Sequence, residues 1–138
     1  MPDTWYLNLL PLNEPYNPGL LDEAGRLQCT FKVIATKRAS SSFIQELIAI
    51  LWDAGVGTPA VNIFATPQAV IPSGPGPFLS IDPSQGIAPL GTLNDGPAAY
   101  RRPGAEITAR ASTWVAAETM AQAAYSALVA VQNRAVAV

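Results

Sequence analysis

The feature that most constrains this chain is a change of period near residue 112. Ala105-Glu-Ile-Thr-Ala-Arg-Ala111 alternates apolar and polar side chains, and residues 114–131 then follow an alanine-rich helical pattern. Only Ser112 and Thr113 separate the two, so a period of two gives way almost at once to one near 3.6. That switch predicts a strand feeding a helix, with Ser112 or Thr113 as the N-cap. The helix presents Ala117, Ala121, Ala124, Tyr125 and Leu128 on one face. So much alanine gives little bulk for a core but lets another surface approach closely. The pattern points to packing and assembly more than to chemistry.

The remaining elements follow from the same periodicities. Trp5-Tyr-Leu-Asn-Leu9 reads as a short strand with Trp5, Leu7 and Leu9 on one face. Residues 11–19 hold three prolines and two asparagines and predict irregular backbone. Asp22-Glu-Ala-Gly25 has the Asp and Gly of a type I turn. Residues 26–36 form the longest strand candidate, with Leu27, Cys29, Phe31 and Val33 on one face, and the first two strands can pair. Residues 39–53 give the clearest helix: Ser42 and Gln45 have capping-box spacing, and Gly55 and Gly57 supply a stop. Its apolar stripe is Phe43, Ile44, Leu47, Ile48, Leu51 and Trp52. Residues 61–65 and 77–81 are further strands, with a tight connection at Pro72-Ser-Gly-Pro-Gly-Pro77 between them. No Gly-Lys-Ser/Thr follows those glycines, so a phosphate cradle is not expected. Residues 82–104, punctuated by Gly86, Pro89, Gly91, Gly96, Pro97 and Pro103, predict a long loop that is ordered against a partner or solvated.

Composition narrows the function. The chain has 138 residues, 49% hydrophobic and 13% charged, which fits one globular domain with a genuine core. The charged fraction falls below the roughly 25% usual for soluble domains, as expected of a surface partly hidden against partners. A net charge of −2 offers no basic field for nucleic acid, and the pairs Lys37-Arg38 and Arg101-Arg102 read as strand ends or rim contacts. With no histidine, a Ser-His-Asp or Cys-His nucleophile cannot be built and most zinc sites are excluded. No cofactor or metal is expected. The ten acidic residues give no pair that the sequence places on one site, so an enzyme is not expected either. Cys29 is alone and reads as a buried structural thiol. No secretory signal and no apolar run of membrane-spanning length is present, which suits a soluble protein in a reducing cytoplasm.

Residues 39–131 resemble the body of the bacteriophage tail terminator (tail completion) family. In that pattern an amphipathic helix precedes a short strand, here Asn62-Ile-Phe64. A Pro-Gly hairpin then leads into an apolar strand, here Ile71-Pro-Ser-Gly-Pro-Gly-Pro-Phe-Leu-Ser-Ile81, and a long glycine-containing loop follows. Tyr100-Arg-Arg-Pro103 enters the alternating strand, and the alanine-rich helix comes after it. The family continues with an aromatic strand, a proline-containing connection, an Asp-x-x-Gly-Arg turn and a long final strand. Residues 1–38 resemble that piece through Trp5-Tyr-Leu, Asn13-Glu-Pro-Tyr16, Asp22-Glu-Ala-Gly-Arg26 and Phe31-Lys-Val-Ile34. The likeness is therefore circularly permuted: a strand-hairpin segment at 1–38 and a helix–strands–helix body at 39–138 form one domain.

The resemblance implies an α+β fold, a mixed and mainly antiparallel sheet with two helices packed on one face. It also implies a homo-oligomer, a six-fold ring that caps the tail tube, stops its polymerisation and meets the head-completion or connector protein. Genomic DNA would make a passing contact in the channel, no membrane is involved, and the protein would reside in the virion after assembly in the host cytoplasm. The subunit interface is expected at Ile87, Leu90, Leu93, Arg101, Arg102 and Arg110. Alternatives are another head–tail joining or tube protein, or a small-molecule binding module.

Overall fold

The computed structural model describes residues 4–17, 25–38, 42–66, 71, 72, 74–92 and 96–136. For Thr4, Trp5, Leu7, Arg38 and residues 87–92, 96–99 and 133–135 it describes the backbone alone. Elements follow the order β1 (Thr4–Pro11), β2 (Leu27–Arg38), α1 (Phe43–Asp53), β3 (Ile63–Ala65), β4 (Phe78–Thr92), β5 (Gly96–Ala111), α2 (Trp114–Val129) and β6 (Gln132–Val136). Among the described residues the strands form a single six-stranded sheet ordered β3-β4-β5-β2-β1-β6. All neighbours are antiparallel except β3 and β4. The fold is α+β, and both helices pack on the same face.

Alternation along the central strands divides inside from outside. Cys29, Phe31, Val33 and Ala35 of β2, with Ala105, Ile107, Ala109 and Ala111 of β5, turn toward the helices and are buried. Leu79 and Ile81 extend this layer into β4. α2 covers it with Ala117, Met120, Ala121, Ala124 and Leu128, close to the expected face, and Tyr125 meets Phe31 edge-on with ring centroids 5.6 Å apart. The small alanines on both surfaces let α2 lie low on the sheet, which is why so little bulk suffices. Burial also pushes the Cys29 thiol pKa up, with the Glu118 charge adding to it, in keeping with a structural thiol.

The helix ends follow local sequence. Ser42 accepts the Gln45 N–H at 3.4 Å, and Thr113 accepts the Ala116 N–H at 3.3 Å. At the end of α1 the N–H of Gly55 reaches the Trp52 carbonyl and that of Val56 reaches Leu51. This is a Schellman stop, and it requires the left-handed φ of +78° that Gly55 adopts.

Several expectations are corrected. β1 buries Tyr6 as well as Leu9, because a bulge between Tyr6 and Asn8 shifts the alternation. The buried stripe of α1 is Phe43, Glu46, Leu47, Ile50 and Leu51, while Trp52 is 59% exposed and Ile44 and Ile48 only border the core. β3 runs parallel to β4, so the segment holding Pro72 to Pro77 is a crossover and not a hairpin. A last strand, β6, pairs with β1 where no strand was expected. The turn at residues 22–25 lies largely outside the described residues, as do residues 39–41 at the expected start of the first helix.

Gly76 makes the crossover possible. Its φ is +76°, and a Cβ there would stand 2.7 Å from the Arg110 carbonyl oxygen and 2.9 Å from the Phe78 nitrogen. Gly76→Ala is expected to destabilise the fold by about 1–3 kcal/mol, read as a lowered midpoint in chemical denaturation.

Candidate interaction surface

Residues 82–92 and 96–104 form the most distinctive surface among the described residues, and they are not the loop the sequence suggests. β4 and β5 continue as paired strands from the sheet into a two-stranded arm, with Ile87 opposite Arg102, Leu90 opposite Tyr100 and Thr92 opposite Gly96. Periodicity is lost there because register shifts follow Ser84, Ile87 and Leu90, each resetting which face a residue occupies. β3 covers the outer side of β4 only from Leu79 to Ile81, and the Thr66 N–H adds one bond to the Ile81 carbonyl. On the other side β2 follows β5 only as far as Lys37 opposite Arg101. Beyond those points, among the described residues, the arm has no neighbouring strand on either side.

Glycine permits the close approach of the two strands at its root. A Cβ on Gly86 would stand 2.2 Å from the Arg102 carbonyl oxygen, and one on Gly104 would stand 2.7 Å from that of Gln85. Pro83, Pro89, Pro97 and Pro103 lie along the two strands. Proline has no N–H for a ladder, so it is tolerated at open edges and bulges, where it also discourages uncontrolled strand addition. The arm is therefore suited to a specific contact and poorly suited to endless edge pairing.

The expected interface residues divide among several places. Ile87 and Leu90 lie in the β4 half of the arm, with only their backbones described, and Leu93 lies outside the described residues. Arg101 is exposed and Arg102 half-buried at the root in β5. Arg110 stands at the other end of β5, about 26 Å from Arg102 at strand rise, half-buried and hydrogen-bonded to the Ser80 hydroxyl. The structure thus groups Arg101 and Arg102 with the arm and separates Arg110 from it.

A charged cluster lies beneath α1, with no motif in the sequence to mark it. Tyr6, Lys37 and Glu46 are all buried between β1, β2 and α1. Tyr6 donates its hydroxyl to Glu46 Oε1 at 2.9 Å, and the Lys37 ammonium pairs with the same oxygen. Lys37 Nζ also lies 5.8 Å from the ring centroids of both Tyr6 and Phe43. Lys37 is therefore no solvated strand end. Burial foremost, then the Glu46 charge and its hydrogen bond, pushes the Tyr6 phenol well above its ordinary range, so it stays a donor. Sealed from solvent, the cluster pins α1 to the sheet and offers no surface for a ligand. Parity was the available signal: Lys37 continues the inward series of Cys29 to Ala35, and Glu46 lies one turn from Phe43 and from Ile50.

On the helix-free face, Asp82 and Glu106 stand opposite one another in register, and Asp82 was expected in the loop. Thr66 donates its hydroxyl to Asp82, and Lys32 Nζ lies 3.9 Å from Glu106. Asp95 lies outside the described residues. Among the described residues no group of three or more His, Cys, Asp or Glu is placed to hold a metal ion, and no helix is long and apolar enough to cross a membrane. Among known proteins, no family model, no curated protein and no solved structure matches this chain.

Proposed function

We propose that this chain is a structural assembly protein: the subunit of a six-membered ring that closes a phage tail tube and meets the head-side connector. The observation that carries the reading is the β4–β5 arm. An isolated two-stranded ribbon is at best marginally stable in water, so one that leaves its sheet is stabilised by a neighbour. A ring of identical subunits supplies one at every interface. The α+β sheet with two helices on one face accords with the same family. So does the side-by-side placement of β1 and β6, which a permuted order requires. In this reading Arg101 and Arg102 sit at the arm's root to pair with acidic groups of the neighbour, and DNA passes through the ring without being read.

Replacing residues 86–103 by Asn-Gly, a two-residue hairpin turn, tests this directly. The expected protein keeps the helical content and cooperative unfolding of the parent and sediments as a monomer. Rings that persist without the arm would contradict the proposal. Antibody labelling at one head-proximal position, with none along the tail, separates a terminator from a tube subunit.

A further inference from the structure

The buried cluster of Tyr6, Lys37 and Glu46 lies where the arm leaves the sheet, and we infer that Glu46 is a positioning residue that fixes the root of the arm through Lys37. The β2–β5 ladder runs unbroken from Leu27 opposite Ala111 to Ile34 opposite Gly104, then skips two residues of each strand. Pro103, which has no N–H to give, stands in that gap. Pairing resumes once, at Lys37 opposite Arg101. On the other side β3 ends opposite Ile81, before the root is reached. The pairs of β4 with β5 hold the arm's strands to each other and leave its angle to the sheet unset. Among the described residues, Lys37 opposite Arg101 is therefore the one strand pairing of sheet with arm beyond the gap.

The side chain at that pairing is held from two further elements. Tyr6 of β1 stands opposite Lys37, so Tyr6, Lys37 and Arg101 form one row across three strands. The bulge between Tyr6 and Asn8 is what brings Tyr6 inward here, and bulges re-aim side chains beside working parts of a fold. From α1, Glu46 accepts the Tyr6 hydroxyl at 2.9 Å and pairs with the Lys37 ammonium. An ion pair buried this deeply adds little net stability over a well-packed apolar pair, because desolvation offsets the attraction. What it adds is direction. One carboxylate oxygen shared by an ammonium and a phenol accepts a narrow range of placements of α1, β1 and β2, whereas apolar groups pack in many. That range sets the end of β2, and with it the last hold of the sheet on the arm. The anchoring belongs to the single chain and needs no ring.

Amide hydrogen exchange tests this, with parent and variants compared in one oligomeric state, set by dilution and checked by sedimentation. The double variant Lys37→Met with Glu46→Leu is expected to unfold near the parent's midpoint. Its residues 100–104 are nevertheless expected to exchange about tenfold faster or more, while residues 105–110 change by less than about threefold. A pair that served stability alone predicts no such split. Should the double variant not fold, Glu46→Gln keeps the shape of the side chain and removes its charge, and the same rise of root exchange relative to the central strand is expected. Root exchange that keeps the parent's ratio to the central strand, in whichever variant folds, would overturn the positioning role whether or not the chain forms a ring.

Discussion

Glu46→Ala is expected to cost about 3–5 kcal/mol of stability, enough to leave much of the protein unfolded. The substitution takes the carboxylate partner from the Lys37 ammonium in a site with almost no solvent and removes the acceptor of the Tyr6 hydroxyl. An uncompensated buried charge costs far more than a lost surface pair. Replacing both partners, Lys37→Met with Glu46→Leu, is expected to recover most of the loss, because two apolar groups of similar size need no partners. Equilibrium urea unfolding of the parent, the single and the double variant measures this. A single variant as stable as the parent would show that the cluster does not hold α1 to the sheet.

The same cluster has a pH signature. The folded-state pKa of Tyr6 is raised above its unfolded value near ~10. The folded chain therefore holds this proton more tightly than the unfolded chain does. The contribution is fully present below about pH 10 and is lost as pH rises beyond it toward the folded pKa. The parent is expected to lose stability more steeply than Tyr6→Phe between about pH 9.5 and 11, and parallel curves would contradict the assignment.

Removing residues 1–38 is expected to abolish folding altogether. β2 lies between β5 and β1, so its loss exposes the buried side of β5 and takes away Phe31, Val33 and Ala35. β6 loses its partner as well, since it pairs with β1. Moving the same residues to the other end of the chain is expected to preserve the fold. Thr4 stands opposite Val136 in the β1–β6 register, so a short linker joins those strands as a hairpin, and the chain can open between Arg38 and Ser42. Circular dichroism and cooperative thermal melting distinguish the outcomes. A truncated protein that still melts cooperatively would show residues 1–38 to be an appendage.

The helices and central strands were legible because one local rule governs each. Ser42, Gly55 and Thr113 cap by their own chemistry, and unbroken alternation in β2 and β5 places Phe31 and Ile107 inward. The arm was not legible, since three register shifts and four prolines erase a period of two while antiparallel pairing continues. Tyr6 was assigned outward because a single bulge reverses a strand's faces without any sequence mark. The parallel pairing of β3 depends on where α1 delivers the chain, and β6 on the presence of β1, both long-range conditions. Neither Lys37 nor Glu46 carries a local mark of the pairing, since a single charge looks the same at a solvated and at a buried site. Their parity placed both inward, where burial requires each to have the other.

The central claim, a ring held by contacts between identical subunits, is tested most directly by the native mass of the purified protein over a range of concentrations. Six copies of a 14.5 kDa chain predict a discrete species of about 87 kDa. A mass that stays at 14.5 kDa up to the highest soluble concentration would contradict it.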